Sequence, residues 1–324
     1  MELRYRDIKN PNDEWTYLEV VIPEEVNPSL QLLSNNNLKF KLDGPAAPLF
    51  WGIIDEGYYG VSILRNDNEW PLEQMPVKPI QAADIEASIQ YSGFERDSFW
   101  ARFFAKSLSK SKASPFYKGK WSLTNKNPYI ETSEYDLPVE EPTAENKAGF
   151  YNVRPLYLDW GAVGSYAVIA LKSMPDKKEG RVKWWRKQVR AGNCPPVLIW
   201  FISCLQAYVV LDGHARLRAF TLEKQAPDFM VLKAINELKR EPDLSRAQKV
   251  HDSLQKRQQH AYKPPMTVDE INQLLIQIYD TRPFVHHMTR SKAVKDLDQK
   301  WLEEVAEFSN QPGTVQEELE AMLE

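Results

Sequence analysis

One short segment of the chain combines side chains that could bind an anion and move a proton. Residues 212–216 read Asp-Gly-His-Ala-Arg, after a β-forming run from Gln206 to Leu211 and before a helical pattern. The sequence therefore predicts a strand that bends at the glycine into a helix. The first amides of a helix have no intrahelical partner and lie at its positive end, so such a turn is a favourable site for a phosphate.

Each residue of the segment has an expected role in phosphate chemistry. Gly213 permits a positive φ and a close approach of the backbone to a ligand. Arg216 is expected to reach back as a bidentate clamp on phosphate oxygens. His214 is a candidate to donate a hydrogen bond or to move a proton. Asp212 is a candidate to assist transfer or to orient a metal-bound water, and Ala215 contributes its backbone amide.

The residues before the turn predict the elements that position it. Val182, Trp185 and Val189 lie on one side of a predicted helix that ends near Gly192-Asn193. Its other side, called the basic face here, comprises Lys183, Arg186, Lys187 and Arg190. A strand over residues 197–202 follows Pro195-Pro196, and a further strand is expected over 229–232.

This order of elements, over about residues 154–235, resembles the ParB/sulfiredoxin superfamily with its strand–Gly-x-x-Arg–helix signature. Asp212, Gly213, His214 and Arg216 match relatives that read Asp-Gly-His-His-Arg. Ala215 departs from that form, since many relatives carry a second polar residue there, and this leaves enzymatic activity open. His214 also stands where sulfiredoxin has its cysteine, which argues against sulfinic acid reduction.

The resemblance implies a nucleotide ligand, because related modules bind CTP, ATP or ADP. It implies a nucleotide- or phosphate-binding protein, with Mg²⁺ accompanying the nucleotide and a hydrolase or phosphotransferase as the reaction class. Further phosphates, or a nucleic acid backbone, would meet the basic face. A solvated helix face that contacts acidic regions is the alternative reading of the same charges.

Charge is unevenly distributed along the chain. The net charge is −4 and the pI about 5.9, which gives no general attraction to nucleic acid or to an anionic membrane. Residues 154–235 nevertheless hold 13 Lys and Arg against 6 Asp and Glu, while the rest holds 28 against 39. This pattern predicts either an anionic ligand in the middle or regions that neutralise each other by contact.

The predicted fold class is α+β, in three regions. Residues 1–145 are expected to form a β-rich domain with a helix near 82–108, and an acidic, Pro-containing linker follows near 135–147. The strands expected there are 15–22, 38–42 (half-exposed) and a hairpin over 49–64. Residues 150–240 form the superfamily-like domain, and residues 241–324 a helical region. An apolar content of 43% with ten tryptophans predicts a substantial core.

Several other features argue against particular classes of protein. Cys194 and Cys204 flank a strand rather than showing metal-ligand spacing, and the adjacent His286 and His287 point in different directions. No metal site is therefore predicted. The first residues lack a signal-peptide pattern, and the longest apolar stretch, 195–205, is too short to span a bilayer. A cytoplasmic protein without membrane contact is expected.

Two alternatives to nucleotide binding remain open. Ala215, the acidic flanks and the aromatic-rich first hundred residues favour a non-catalytic protein-binding module, such as a bacterial immunity or antitoxin protein with a basic toxin as partner. DNA binding in the manner of partition proteins ranks last, because the pI is low and no helix-turn-helix is evident after residue 240. A nucleic acid partner is not expected.

Overall fold

The computed structural model describes residues 2–35, 37–57, 60–66, 71, 74–125, 150–151, 156–159, 168–238, 244–259, 267–279 and 284–309. These residues form a mixed α/β structure with two sheets and seven α-helices. The chain divides into two compact units, Met1–Ala234 with Met288–Glu324 and, separately, Ile235–His287.

The strands follow one another along the chain as β1 (Arg4–Lys9), β2 (Trp15–Ile22), β3 (Gln31–Ser34), β4 (Lys39–Asp43), β5 (Pro48–Asp55), β6 (Gly60–Arg65), β7 (Gly119–Thr124), β8 (Phe150–Tyr151), β9 (Leu156–Asp159), β10 (Val168–Ala170), β11 (Val197–Ile202), β12 (Ala207–Asp212), β13 (Phe229–Leu238), β14 (Phe284–His287) and β15 (Ser291–Ala293). The helices are α1 (Ala82–Ile89), α2 (Gly93–Lys110), α3 (Gly180–Arg190), α4 (His214–Glu223), α5 (Leu244–Gln259), α6 (Val268–Tyr279) and α7 (Leu297–Ser309).

The larger sheet carries the predicted phosphate turn. Its strand order is β1-β2-β7-β13-β11-β12-β10-β8. Strand β11 lies antiparallel to β12 and parallel to β13, and β10 lies parallel to β12. The last residues of β13 belong to the second unit, where they pair antiparallel with β14. The strands predicted at 197–202, 206–211 and 229–232 are thus confirmed, and the structure shows that β11 pairs with both β12 and β13.

The smaller sheet has the strand order β15-β3-β4-β5-β6-β9. Its predicted hairpin is confirmed, since β5 and β6 pair antiparallel from Phe50 opposite Arg65 to Asp55 opposite Gly60. The prediction of a half-exposed strand at 38–42 is wrong, because Lys41 on β4 is only 1% exposed.

The helical pattern near 82–108 forms two helices instead of one. Helix α1 ends at Ile89, and α2 begins at Gly93, whose φ of +52° lies in the left-handed region. Trp100, Phe104 and Leu108 form the buried stripe of α2, which packs on β2.

A shared hydrophobic core runs through the first unit. Leu18, Phe104 and Trp121 belong to the same buried cluster as Trp185 and Trp200. The chain before residue 125 and the chain after residue 168 therefore build one core, which differs from the predicted division near residue 145. The acidic stretch 135–147, predicted as a linker, lies outside the described residues.

The region after residue 241 is also not purely helical. Helices α5 and α6 and strand β14 lie in the second unit, whereas β15 and α7 belong to the first. Helix α7 packs on the smaller sheet, with Trp301 and Val305 buried beside Trp51. In the described part of the chain, no helix is both long and apolar enough for a membrane crossing.

Candidate functional site

The predicted strand–glycine–helix turn is present. Strand β12 ends at Asp212, Gly213 has φ +108° and ψ 19°, and helix α4 begins at His214. The carbonyl of Gly213 accepts the hydrogen bond of Leu217 N at 2.8 Å, which closes the first helical turn. No acidic side chain lies in that turn, so its positive end is not neutralised from within the helix.

Two constraints require a glycine at position 213. Its φ of +108° is a conformation that L side chains rarely adopt. A Cβ built there would also lie 2.8 Å from Nη2 and 3.1 Å from Cζ of Arg216. The group that approaches Gly213 is therefore the guanidinium of Arg216, whereas the sequence predicted that a ligand would approach this glycine.

Arg216 acts as a clamp within the protein. It is 2% exposed, and its Nη2 donates to the Asp212 carboxylate at 2.6 Å and to the Pro196 carbonyl at 3.1 Å. Its Cζ lies 5.2 Å from the ring centroid of Trp185 on α3. Arg216 thus holds the start of α4 against the end of β12 and the start of β11. Its Nε is buried without a hydrogen-bond partner among the described residues.

His214 is the most unusual polar group of the turn. It is 6% exposed, and its Nε2 atom has no hydrogen-bond partner in the described structure. Burial, followed by the positive charges of Lys172, Arg65 and Arg216, holds the pKa of His214 well below 6.5. The imidazole is therefore neutral at neutral pH, and an unpartnered buried nitrogen is one that a ligand can satisfy.

Residues 213–216 line a cavity of about 500 Å³. Lys172 and Arg181 also line it, and both were missed by the sequence reading of the site. Lys172 follows β10, and no carboxylate of the described residues pairs with it. The cavity falls within the size range of small-molecule sites.

Arg181 is positioned by two different contacts. It donates to the Ile80 carbonyl at 2.5 Å, and its Cζ lies 4.6 Å and 4.7 Å from the ring centroids of Trp184 and Trp185. Burial and then Arg216 lower the pKa of Arg181, although the group stays protonated at any physiological pH. The stacked guanidinium is fixed in place before any ligand arrives.

Charge in the cavity is positive on balance. Asp212 and Arg216 neutralise each other through their 2.6 Å contact. Among the described residues that line the cavity, Lys172 and Arg181 then remain as cations and Glu179 as a carboxylate. The arrangement therefore favours an anion over a neutral or cationic ligand.

The basic face of α3 is only half available. Arg190 pairs with Glu223 of α4, with Nε–Oε2 at 2.7 Å and Nη2–Oε1 at 2.8 Å, and Arg186 Nε bonds the same carboxylate. These hydrogen bonds lower the pKa of Glu223 to about 2. Lys183 and Lys187 are exposed. Val182, Trp185 and Val189 are buried, as the periodicity predicted.

The described residues contain no cluster of three or more His, Cys, Asp or Glu that could hold a metal ion. Comparisons with protein-family models, with curated proteins and with solved structures found no match to this chain. The resemblance to the ParB/sulfiredoxin superfamily stays a prediction from the residues.

Proposed function

We propose that the protein binds a nucleotide or another phosphorylated ligand in the cavity at the Gly213 turn. The observation that carries the proposal is the buried Nε2 of His214, which has no partner among the described residues and belongs to a residue that lines the cavity. Lys172 and Arg181 line the same cavity and supply positive charge. A phosphate would satisfy both the buried nitrogen and the unbalanced charge.

The residues of the cavity divide into contact and positioning groups. Lys172 and Arg181 would contact phosphate oxygens, as would the first amides of α4. A neutral His214 would donate from Nε2, which it does without carrying charge. Arg216 is a positioning residue, because its Nη2 is already bonded to Asp212 and Pro196. The expected phosphate clamp is thus reassigned to Arg181 and Lys172.

The fold proposed for residues 150–240 is that of the ParB/sulfiredoxin superfamily. The support is the order α3, β11, β12, glycine turn, α4, β13, together with the pairing of β11 with both β12 and β13. The bulk of the first unit, including β7 beside β13, would then be an addition to that fold.

Ligand binding has more support than hydrolysis or phosphotransfer. Asp212 is occupied by Arg216, and Ala215 offers no functional group. Mg²⁺ would be held by the nucleotide phosphates and water, and Glu179 is a carboxylate of the same cavity lining. For a reaction at this site, the neutral imidazole of His214 would serve as the proton acceptor.

A thermal-shift screen tests the proposal. ATP, ADP and CTP, each with and without Mg²⁺, are added to the wild type, to Lys172→Ala and to Lys177→Ala. Lys177 is exposed and lies outside the cavity lining, so it is a matched control. Ligand at a hundredfold excess over Kd adds about 2.7 kcal/mol to stability. We expect a rise in Tm for the wild type and for Lys177→Ala, and a smaller rise for Lys172→Ala.

Two results of this screen would contradict the proposal. One is the absence of a Tm change with every nucleotide and with inorganic pyrophosphate. The other is an equal rise in Lys172→Ala and the wild type. Arg216→Ala is a poor test, because that substitution removes a structural clamp and lowers stability whether or not a ligand binds there.

A protein-binding role is supported by a separate surface. Ile89, Tyr91 and Phe94, at the junction of α1 and α2, are 50%, 43% and 51% exposed. Exposed aromatic side chains at such a junction are typical of protein contacts. A basic protein such as a toxin would suit the acidic flanks. Loss of a co-purifying basic protein from the native host in Tyr91→Asp/Phe94→Asp would support this role, and its retention would oppose it.

DNA binding has the least support. Arg186 and Arg190 are engaged with Glu223, which leaves Lys183 and Lys187 as the unpaired part of the basic face within the described structure. Two lysines release few counterions and give weak binding at physiological salt.

A further inference from the structure

A second cleft, distinct from the cavity at Gly213, lies where the two sheets of the first unit meet. Its volume is about 290 Å³. Trp200 of β11 contributes from the larger sheet, and Leu32 of β3 from the smaller one. Arg290, immediately before β15, and Lys292, within it, also line the cleft. None of these residues takes part in the proposed phosphate site.

Trp200 carries a buried donor without an acceptor. The residue is 2% exposed, and its Nε1 has no hydrogen-bond partner among the described residues. Buried indole N–H groups normally have a partner. Trp301 shows the usual case, since its Nε1 donates to the Phe40 carbonyl at 3.0 Å. A ligand in the cleft that Trp200 lines would supply the missing acceptor.

Two cations at the cleft have no carboxylate partner in the described part of the chain. They are Arg290 and Lys292. The Arg290 Cζ lies 4.6 Å from the ring centroid of Tyr117. A guanidinium stacked on a ring keeps its edge N–H groups available for a planar, bidentate anion.

The backbone on both sides of Arg290 is fixed. Thr289 donates its amide to Ser203 Oγ at 2.9 Å and its hydroxyl to the Phe201 carbonyl at 3.0 Å. On the other side, Ser291 and Lys292 pair with Leu32 and Leu33 of β3. The backbone that carries the two cations is thus held in position, which lowers the entropy lost on binding a ligand.

The rest of the lining indicates the class of ligand. Val26, Leu30 and Pro115 give the cleft an apolar part. Glu25 also lines the cleft, but it pairs with Lys118 at 3.4 Å, so it does not neutralise Arg290 or Lys292. The stacked guanidinium suits a planar carboxylate, and the apolar part of the lining suits an anion that carries a hydrophobic group.

We propose that this cleft binds a small amphipathic carboxylate, of the size of an acylated amino acid. Its carboxylate pairs with Arg290 and Lys292, its apolar group packs on Val26, Leu30 and Pro115, and a carbonyl oxygen accepts the Trp200 indole N–H. The site is a second ligand site, independent of the cavity at Gly213.

Titration of protein with ¹⁵N-labelled indole groups tests the proposal, with N-acetyl-L-leucine as the probe. Its uncharged analogue, N-acetyl-L-leucine amide, is the matched control ligand. Trp200→Phe assigns the Trp200 indole resonance. We expect N-acetyl-L-leucine to shift that resonance saturably, and affinity to be about tenfold lower for the amide and for Arg290→Gln/Lys292→Gln. Lys295→Gln, an exposed lysine outside the cleft lining, is expected to bind as the wild type does.

Any of three results would overturn the proposal. They are the absence of a saturable shift at Trp200, equal affinity for the acid and its amide, and unchanged affinity in Arg290→Gln/Lys292→Gln. Tighter binding of phenyl phosphate than of N-acetyl-L-leucine would refute the assignment to a carboxylate. The charge variants carry substitutions at exposed positions, whereas Trp200→Phe changes a buried residue and serves only to assign its resonance. Dispersed indole resonances confirm the fold in each sample.

Discussion

Gly213 has a positive φ, and the guanidinium of Arg216 packs closely against it. Its substitution by alanine forces a strained backbone and a contact of 2.8 Å with Nη2, which two hydrogen bonds hold in place. We predict that Gly213→Ala lowers the free energy of unfolding by about 2 kcal/mol. Urea denaturation measures this change.

Gly180, at the start of α3, is the matched control. A Cβ there would meet no atom within 4 Å, and its backbone is not left-handed. Gly180→Ala should therefore leave stability unchanged or raise it slightly. An equal loss in both variants would contradict the account of the Gly213 turn.

His214 gives stability a pH dependence of known sign. Its folded pKa lies well below 6.5, so below pH 6.5 the unfolded chain binds a proton that the folded protein excludes. The contribution of His214 to the free energy of unfolding should therefore be complete above pH 6.5 and decrease as the pH falls below that value. Comparison of urea curves at pH 7.5 and pH 5.5 should show a smaller difference in His214→Gln. Exposed His251 is the control, and His251→Gln should keep the wild-type difference.

The sequence predicted the conformation of these residues better than their contacts. Strand, left-handed glycine and helix follow from local patterns, so Gly213 and His214 were found. Arg216 was expected to face a ligand, but the nearest acceptors are Asp212 and the Pro196 carbonyl, which the fold brings beside it. Lys172 and Arg181 belong to no motif. The pairing of β10 with β12 brings Lys172 to the cavity, and the packing of α3 against α4 brings Arg181 there.

Among the elements, α7 depends on a buried ion pair. The ammonium of Lys41, on β4, lies 2.8 Å and 2.9 Å from the two carboxylate oxygens of Glu304, and Trp51 Nε1 donates to the same group at 2.7 Å. Lys41 is 1% exposed. Glu304→Ala would leave this ammonium buried without its main partner, with Asp43 at 3.6 Å as the remaining carboxylate.

We predict that Glu304→Ala lowers the free energy of unfolding by about 3 kcal/mol. Glu303, one residue earlier and exposed, is the control, and Glu303→Ala should change stability by less than about 0.5 kcal/mol. Equal effects of the two substitutions would show that α7 does not depend on the pair. Denaturant unfolding followed by tryptophan fluorescence provides the measurement.

The same pair explains why the exposure of β4 was predicted incorrectly. A lysine between Phe40 and Leu42 has the pattern of a strand with one face in water. Its partner on α7 is 263 residues away in the sequence, and no local pattern relates the two. The alternating pattern predicted the strand correctly, but the contact with Glu304 on α7 determines that Lys41 is buried.

At the scale of the whole molecule, the chain packs differently from its predicted regions. The hairpin, β2 and the strands around the turn were all predictable from periodicity, because each is local. The sharing of one core by residues on both sides of the stretch 135–147 was not, because it depends on the pairing of distant strands. β2 and β7 extend the sheet that carries the turn, and α2 covers it.

This shared core predicts that residues 150–240 do not fold alone. Removal of the rest exposes the edge of β13 that adjoins β7, and leaves Trp185 and Trp200 without the part of their cluster that includes Leu18, Phe104 and Trp121. The isolated fragment should show poorly dispersed amide resonances and no cooperative thermal transition. A cooperatively folded fragment would instead support the independent domain predicted from the sequence.

The central claim is that a phosphate-bearing ligand satisfies Nε2 of His214. Five histidines make the chain tractable for ¹⁵N-histidine labelling, with His214→Gln to assign the resonance. Titration with ATP, ADP or CTP, with Mg²⁺ present, should shift the His214 ring nitrogens saturably, and Lys172→Ala should weaken the binding about tenfold. A His214 resonance that stays unchanged by all three nucleotides and by pyrophosphate would contradict the claim.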